Sequence, residues 1–417
     1  MVDIQWSFIS LFTASFVNFV LRIIIGRELG PAGLGVYTLV FVIYLLGMQF
    51  AAFGVTSALT KYVAEFIDDH NTVRKYVSSG MTSSIISGTL MAVVLYLFAP
   101  YLAISFFKIP EMEGFLELIA LCLPFIAIQK AVLGTLNGFR KMHLYALVNI
   151  AQYVSVVCLS IVLVIVFNMG VFGAVIGLVV PTIIVGILSP LLIKTHLGCD
   201  NSFWDMSALR ATTIFGFFVV LSNSIGYLAT QIDSILIGHY LDPTAVGIYA
   251  VAILLVQALT LVPNAIQCVT YPAMATLFGK GDVVGVRHIF YSTLKKSFLL
   301  TSGVAVLLAI CAPLIITLLF GQQFLGAYVP LLILLIGYTV DSSFSAVGTT
   351  LGSIGKVHIV FRIQAICVVL NIILNILLIP PLGISGAALA TSIMLIVDFI
   401  ITTALINRYL SLEEKAP

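Results

Sequence analysis

Asp233, Asn371, Asn375 and Thr391 are polar side chains set inside long apolar runs. Polar groups at such depth mark pathways or binding sites. Asn371 and Asn375 are four apart and so share a helical face. Counting about 1.5 Å per residue from the end of each run, Asp233, Asn375 and Thr391 lie roughly 6–11 Å below one surface, with Asn371 a turn deeper. One carboxylate among neutral oxygens is a donor set for a hard monovalent cation such as sodium. Hydrogen bonding between packed helices accounts for the same spacing, and the pattern alone leaves both open. Asn223, Gly226 and Thr230 continue the face of Asp233 upstream.

Other groups at membrane depth suggest different chemistry. Ser15, Asn18 and Arg22 follow at intervals of three and four on one face. Arg22 suits an anion such as a phosphate, which its planar fork binds in bidentate fashion; a snorkelling interfacial arginine is the alternative. Lys130 either guides an anionic headgroup or anchors its helix. Asp341 and Asp398 fall at similar depth nearer the other surface, where they either carry protons or hydrogen-bond within the bundle.

These residues need membrane helices to position them. Of 417 residues, 61% are apolar and only 9% charged, against about 25% charged in an ordinary soluble domain. Twelve apolar runs reach spanning length, at 5–25, 36–59, 77–100, 115–136, 144–168, 173–194, 209–237, 245–270, 289–319, 328–351, 361–380 and 384–406. Their continuity excludes the alternating pattern of a membrane barrel and predicts an all-α bundle. With the N-terminus in the cytoplasm, all but Lys108, Arg22 and Arg27 of the 19 basic residues fall on the inner side, so both termini are expected to be cytoplasmic. MVDIQWSF lacks a basic leader, so the first run reads as a retained helix.

Several function classes drop out. A net charge of +2 without a clustered basic face argues against nucleic acid. Six cysteines without a CxxC pair read as small apolar residues, and six histidines show no metal-ligand spacing. No catalytic constellation or cofactor motif is present in the short loops, so no enzyme is expected.

The chain repeats itself. GRELGPAGLGVY at 26–37 is echoed by GHYLDPTAVGIY at 238–249, with Gly26, Leu29, Pro31, Gly35 and Tyr37 matching Gly238, Leu241, Pro243, Gly247 and Tyr249. Arg74 matches Arg287; Thr135, Leu136, Lys141 and His143 match Thr350, Leu351, Lys356 and His358; Gly173 and Ala174 match Gly386 and Ala387. The repeat predicts two pseudo-symmetric six-helix lobes, 1–194 and 209–417, joined by a cytoplasmic linker at 195–208. Parallel halves with a site between them are a transporter plan.

The stretch GRELGPAGLGVYTLVFVIYLLGMQFAAFGVTSALTKYVAEF resembles the start of the oligosaccharide-lipid flippases, the polysaccharide biosynthesis proteins. NGFRKMHLYALVNI and its echo GSIGKVHIVFRIQAI are similar to the same family, whose superfamily includes multidrug exporters and lipid II flippases. The resemblance spans the chain. It implies alternating access between two lobes and a cargo of glycan on polyprenyl diphosphate, moved from the inner to the outer leaflet of the cell membrane. It also implies a sodium site at Asp233, Asn371, Asn375 and Thr391, with Asn375 at a position that the lipid II branch can fill with an acid. That branch lines its cavity with several arginines, whereas the second and eighth runs here offer only Gln49 and Gln257, leaving Arg22 as the diphosphate contact. The coupling ion is Na+ or H+. Membrane lipids, polysaccharide polymerases and glycosyltransferases are the expected partners. A cation-coupled drug exporter and a non-transporting scaffold of lipid-glycan synthesis are the alternatives.

Overall fold

The computed structural model describes residues 2–196, 205–348, 350–353 and 357–413. Residues 197–204 of the expected linker, Lys356 of the repeat and Lys415 of the tail lie outside the described residues. Among the described residues the regular structure is entirely helical. The helices are α1 (Val2–Ala52), α2 (Val55–Glu65), α3 (His70–Pro100), α4 (Met112–Gly138), α5 (Met142–Ile161), α6 (Gly170–Leu188), α7 (Met206–Tyr240), α8 (Pro243–Val256), α9 (Leu261–Gly279), α10 (Val283–Leu319), α11 (Tyr328–Ser345), α12 (Thr350–Ser353), α13 (Val357–Leu382) and α14 (Ile384–Glu413).

Eleven described helical stretches are long and apolar enough to cross a membrane. The first, Phe8–Glu65, holds two crossings, because Gly30 breaks it with φ 68° and ψ −174°. Twelve crossings result, six on each side of the linker. Only lipid accommodates their surfaces: Leu97 is 70% exposed, Leu299 77% and Ile310 72%. The protein is a multi-pass membrane protein.

Two crossings depart from the continuous helices expected. The second is interrupted at Phe53 and Gly54, both at positive φ (41° and 65°). The eighth gives way to a 3-10 turn at Gln257–Thr260 between α8 and α9. Periodic hydrophobicity continues through both breaks, so the sequence pattern conceals them.

The repeat shows in the helix starts. Pro31 follows the Gly30 break, and Pro243 opens α8 behind Asp242, whose Oδ1 accepts from the Ala245 amide at 2.8 Å. Proline suits this position because its missing N–H would be unbonded there anyway. Asp69 caps α3 and Asp282 caps the twin helix α10, accepting from backbone amides of the first turn. Asp205 caps α7 through the Ser207 and Ala208 amides and meets Lys75 at 3.4 Å. Four of the chain's few acids therefore serve helix ends.

The chain divides into two compact units, Met1–Tyr227 and Leu228–Pro417. The expected lobes meet in the linker, whereas this division falls inside α7. In the first unit, α7 touches the α1–α2 break backbone to backbone, where Gly54 and Gly216 meet. A Cβ on Gly216 would run into the Phe53 carbonyl. A core of Leu59, Val63, Val73, Val77, Ala131 and Leu136 packs α2, α3 and α4 together. In the second unit, Phe290, Phe344, Leu351, Ile363, Ile406 and Leu410 form the corresponding core.

Candidate functional site

The second unit gathers a buried polar cluster around one carboxylate. Asp233 comes from α7, Tyr249 from α8, Asn371 and Asn375 from α13, and Thr391 from α14. The sequence forces this locally. Asn371 and Asn375 sit one turn apart on one face of α13, and α13 lies against α14 over much of its length. Asp233 Oδ2 accepts from the Tyr249 hydroxyl at 2.6 Å and from Thr391 Oγ1 at 2.5 Å. Asp233 Oδ1 accepts from Asn375 Nδ2 at 2.8 Å. Asn375 Nδ2 also reaches the Asn371 carbonyl at 3.0 Å and Asn371 Oδ1 at 3.1 Å, while Asn371 Nδ2 donates to Thr391 Oγ1 at 3.2 Å. Tyr249, Asn371 and Asn375 are fully buried, and Asp233 and Thr391 are each 6% exposed.

The cluster is closely but incompletely satisfied. A carboxylate loses several kcal/mol on leaving water, and three hydrogen bonds to a charged acceptor return about 1.5–3 kcal/mol each. One acceptor is left over: Asn375 Oδ1 is buried with no hydrogen-bond donor. A buried acceptor without a donor, beside a carboxylate and other oxygens, is what a small hard cation requires. Asp233, Asn371, Asn375 and Thr391 present oxygen ligands only. Among the described residues no group of three or more His, Cys, Asp or Glu is placed to hold a metal ion, so a transition-metal centre has no ligand set here.

All four expected cation residues meet, and Tyr249 joins them. Sequence reasoning missed it, although Tyr249 is the last residue of the repeat motif. The upstream face does not join: Asn223 and Thr230 are exposed, and Thr230 Oγ1 accepts from Gln231.

The anion candidates are spread over several helices. Arg22 is half-buried on α1, with its Cζ 5.8 Å from the Phe41 ring centroid and the phenols of Tyr37 and Tyr227 within electrostatic reach. Asn18 donates to the Ala14 carbonyl of its own helix at 3.1 Å. Lys130, half-buried on α4, lies eight residues from Gly138, whereas Arg22 lies eight from Gly30 at the opposite end of the bundle. At about 1.5 Å per residue each is about 12 Å from its own end, so both lie near the middle of a core about 30 Å thick. Gln49 is half-buried on α1, and Gln257 is exposed in the 3-10 turn of the second unit.

Asp341 and Asp398 are half-buried and close enough for their charges to interact. Asp398 Oδ1 accepts from Thr402 Oγ1 at 3.2 Å and lies 3.8 Å from the Cys367 sulfur. Cys122 and Cys367 are buried as expected of small apolar residues, while Cys158 is exposed.

Comparison with known proteins places this architecture. The profile of the family described as "Polysaccharide biosynthesis protein" matches residues 3–278, and the MatE profile matches 219–377. A putative O-antigen transporter of Shigella flexneri is 22% identical over 398 residues, covering 94% of each chain. The probable low-salt glycan biosynthesis flippase Agl15 of Haloferax volcanii is 24% identical, over 98% of this chain and 84% of its own. Among solved structures, the lipid II flippase MurJ in an inward closed conformation superposes with a TM-score of 0.78 at 16% identity, covering 97% of this chain and 87% of that one. The fold is the one that the solved lipid II flippase has, and the chain belongs to the polysaccharide biosynthesis protein family.

Proposed function

We propose that this protein is a flippase that carries a glycan linked to polyprenyl diphosphate from the inner to the outer leaflet by alternating access. The observation that carries the cargo class is the near full-length likeness to an O-antigen transporter and a glycan flippase. The orientation follows from the basic residues, which put both termini in the cytoplasm. Polymerases and glycosyltransferases of surface-polysaccharide assembly are the partners this role calls for.

Transport is driven by a monovalent cation, sodium first among the candidates. Asp233, Asn371, Asn375 and Thr391 would hold it, supported by the donorless Asn375 Oδ1 and the carboxylate charge. The bound cation neutralises Asp233, which changes the cost of moving that charge through lipid. Asp341 and Asp398 are the alternative, as carriers of protons. Arg22 serves as the diphosphate contact, with Asn18, Gln49, Gln257 and Lys130 as polar points along the path of the glycan. Arg22→Ala tests this role: transport is lost while the protein still accumulates, and unchanged transport returns Arg22 to a snorkelling residue.

Deletion of the gene tests the whole reading. Lipid-linked glycan accumulates on the inner leaflet if it is correct, and the reading fails if the glycan reaches the surface as before. The MatE match over 219–377 favours one second reading, a cation-coupled exporter of amphipathic drugs. Drug sensitivity after deletion, with glycan export intact, would establish that instead.

A further inference from the structure

Helix α10 carries a lysine into a cleft of the second unit that the cation cluster does not use. The cleft has a volume of 260 Å³ and lies between three helices. Tyr291, Lys295 and Phe298 line it from α10, Val340 and Ser343 from α11, and Phe399 from α14. Two hydrogen bonds tie α10 to α14 beside it. The Tyr291 hydroxyl donates to Asn407 Oδ1 at 2.7 Å, and one turn earlier Arg287 Nη2 donates to Ser411 Oγ at 3.1 Å. Phe298 and Val340 also line a second cavity, of 360 Å³, that continues between α10 and α11 as far as Ala309. The two cavities thus make one groove, which follows α10 for about 21 Å.

This face meets lipid, because Phe298, Val306 and Ile336 along it are 49%, 60% and 63% exposed. A lipid therefore occupies it, and the lining residues decide which headgroup. Lys295 lies about 36 Å along α10 from Leu319 at the far end of the helix. That exceeds a hydrocarbon core of about 30 Å, so the ammonium stands at headgroup level and the groove beyond it runs at the depth of acyl chains. The other polar groups of the cleft are committed: Tyr291 to Asn407, and the Ser343 hydroxyl to the Thr339 carbonyl at 2.5 Å. Lys295 is exposed and has no ion-pair partner among the described residues. Nor does the internal repeat call for it. In the register that pairs Arg74 with Arg287, the first half has Thr82 at this place. The larger cavity of the first unit, 450 Å³, has no charged residue in its lining and so selects no headgroup.

We propose that this groove binds one anionic glycerophospholipid, its phosphodiester paired with Lys295 and an acyl chain lying along Phe298, Ala305 and Ile336. One phosphodiester charge balances one ammonium, whereas a diphosphate would leave negative charge over. The bound lipid braces α10, α11 and α14, and α14 also carries Thr391 of the cation cluster. The site stands on these contacts alone and is independent of what the protein transports.

The test uses the purified full chain in detergent, titrated with dioleoyl phosphatidylglycerol or dioleoyl phosphatidylcholine and read by native mass spectrometry. One phosphatidylglycerol is expected to be held about fivefold more tightly than phosphatidylcholine, the worth of one lysine near an anionic charge. Lys295→Gln is expected to abolish that preference. Lys296→Gln removes the same charge one residue on, outside the lining, and is expected to preserve it. Val306→Trp fills the groove and is expected to weaken retention of both lipids; Leu307→Trp, 62% exposed and outside the lining, leaves retention intact. Glycerol 3-phosphate, which lacks the chains, is expected not to bind. Thermal unfolding of each variant verifies that it folds. A preference that survives Lys295→Gln, or that Lys296→Gln abolishes equally, reduces the effect to general surface charge and overturns the proposal. Retention unchanged in Val306→Trp overturns the groove. Binding of glycerol 3-phosphate would make this a phosphate site, and displacement of phosphatidylglycerol by a lower concentration of geranylgeranyl diphosphate would make it a cargo site; either overturns the assignment to a resident lipid.

Discussion

Replacing Asp233 with asparagine separates the stability of the buried cluster from its response to a cation. The substitution keeps the shape and removes the charge. The three bonds to the carboxylate, at 2.5, 2.6 and 2.8 Å, contribute about 1.5–3 kcal/mol each. They are offset by the several kcal/mol that burial of the charge costs. In Asp233→Asn the Tyr249 and Thr391 hydroxyls keep an amide oxygen to donate to, but the new NH2 faces Asn375 Nδ2. One mismatched donor costs about 1–3 kcal/mol, and relief of the buried charge opposes it. Unfolding temperature without sodium is thus expected to shift by only a few degrees. The cation response is different. A ligand at a hundred times its Kd stabilises by about 2.7 kcal/mol, or about 5–11 °C at about 2–4 °C per kcal/mol for a unit of this size. The assay is thermal unfolding in sodium against an equal concentration of a bulky organic cation. Wild type is expected to gain that increment and Asp233→Asn to gain none. A wild type indifferent to sodium, or a variant that keeps the full shift, would refute the assignment.

Three further outcomes follow from the same structure. Tyr249→Phe removes one charge-assisted hydrogen bond, about 1.5–3 kcal/mol; sodium titration of the unfolding temperature is expected to show weaker binding by about tenfold or more, and unchanged affinity would confine Tyr249 to packing. Gly216→Ala pushes a methyl into the Phe53 carbonyl and is expected to destabilise the first unit by about 1–3 kcal/mol, read as a lower unfolding temperature; no change would mean that the contact relaxes freely. Asp205 is held down to about 2, first by the Ser207 hydroxyl and then by the Ala208 amide, burial opposing. A depressed carboxylate stabilises the fold above its ordinary value of about 4 and loses that contribution as the pH falls toward about 2. Asp205→Ala therefore imitates at pH 7 what acid does to wild type, and amide exchange at Ser207 and Ala208 is expected to quicken relative to intrinsic rates; unchanged exchange would show that the cap is dispensable.

Much of the site was legible before folding was considered. Asp233, Asn371, Asn375 and Thr391 stood out because lipid makes any polar residue conspicuous. Tyr249 did not, because a tyrosine near a helix end is common and its hydroxyl gains meaning only from its partner. Arg22 and Lys130 look alike as cations at depth, and only the structure shows what each packs against, Arg22 lying beside the Phe41 ring. Asp69, Asp205, Asp242 and Asp282 were unassigned acids until the helix starts they cap were in view.

The sequence by itself determined the twelve crossings and the internal repeat. In hydrocarbon a backbone must satisfy its own hydrogen bonds, so long apolar runs have helix as their one open form, and a duplicated pattern keeps its offset. Tertiary structure alone decided which polar faces meet. A helical period fixes the face a residue occupies and is silent about the helix opposite. The convergence of α7, α8, α13 and α14 on Asp233, the leftover acceptor at Asn375, and the contact of Gly54 with Gly216 all arise from packing between segments far apart in the chain.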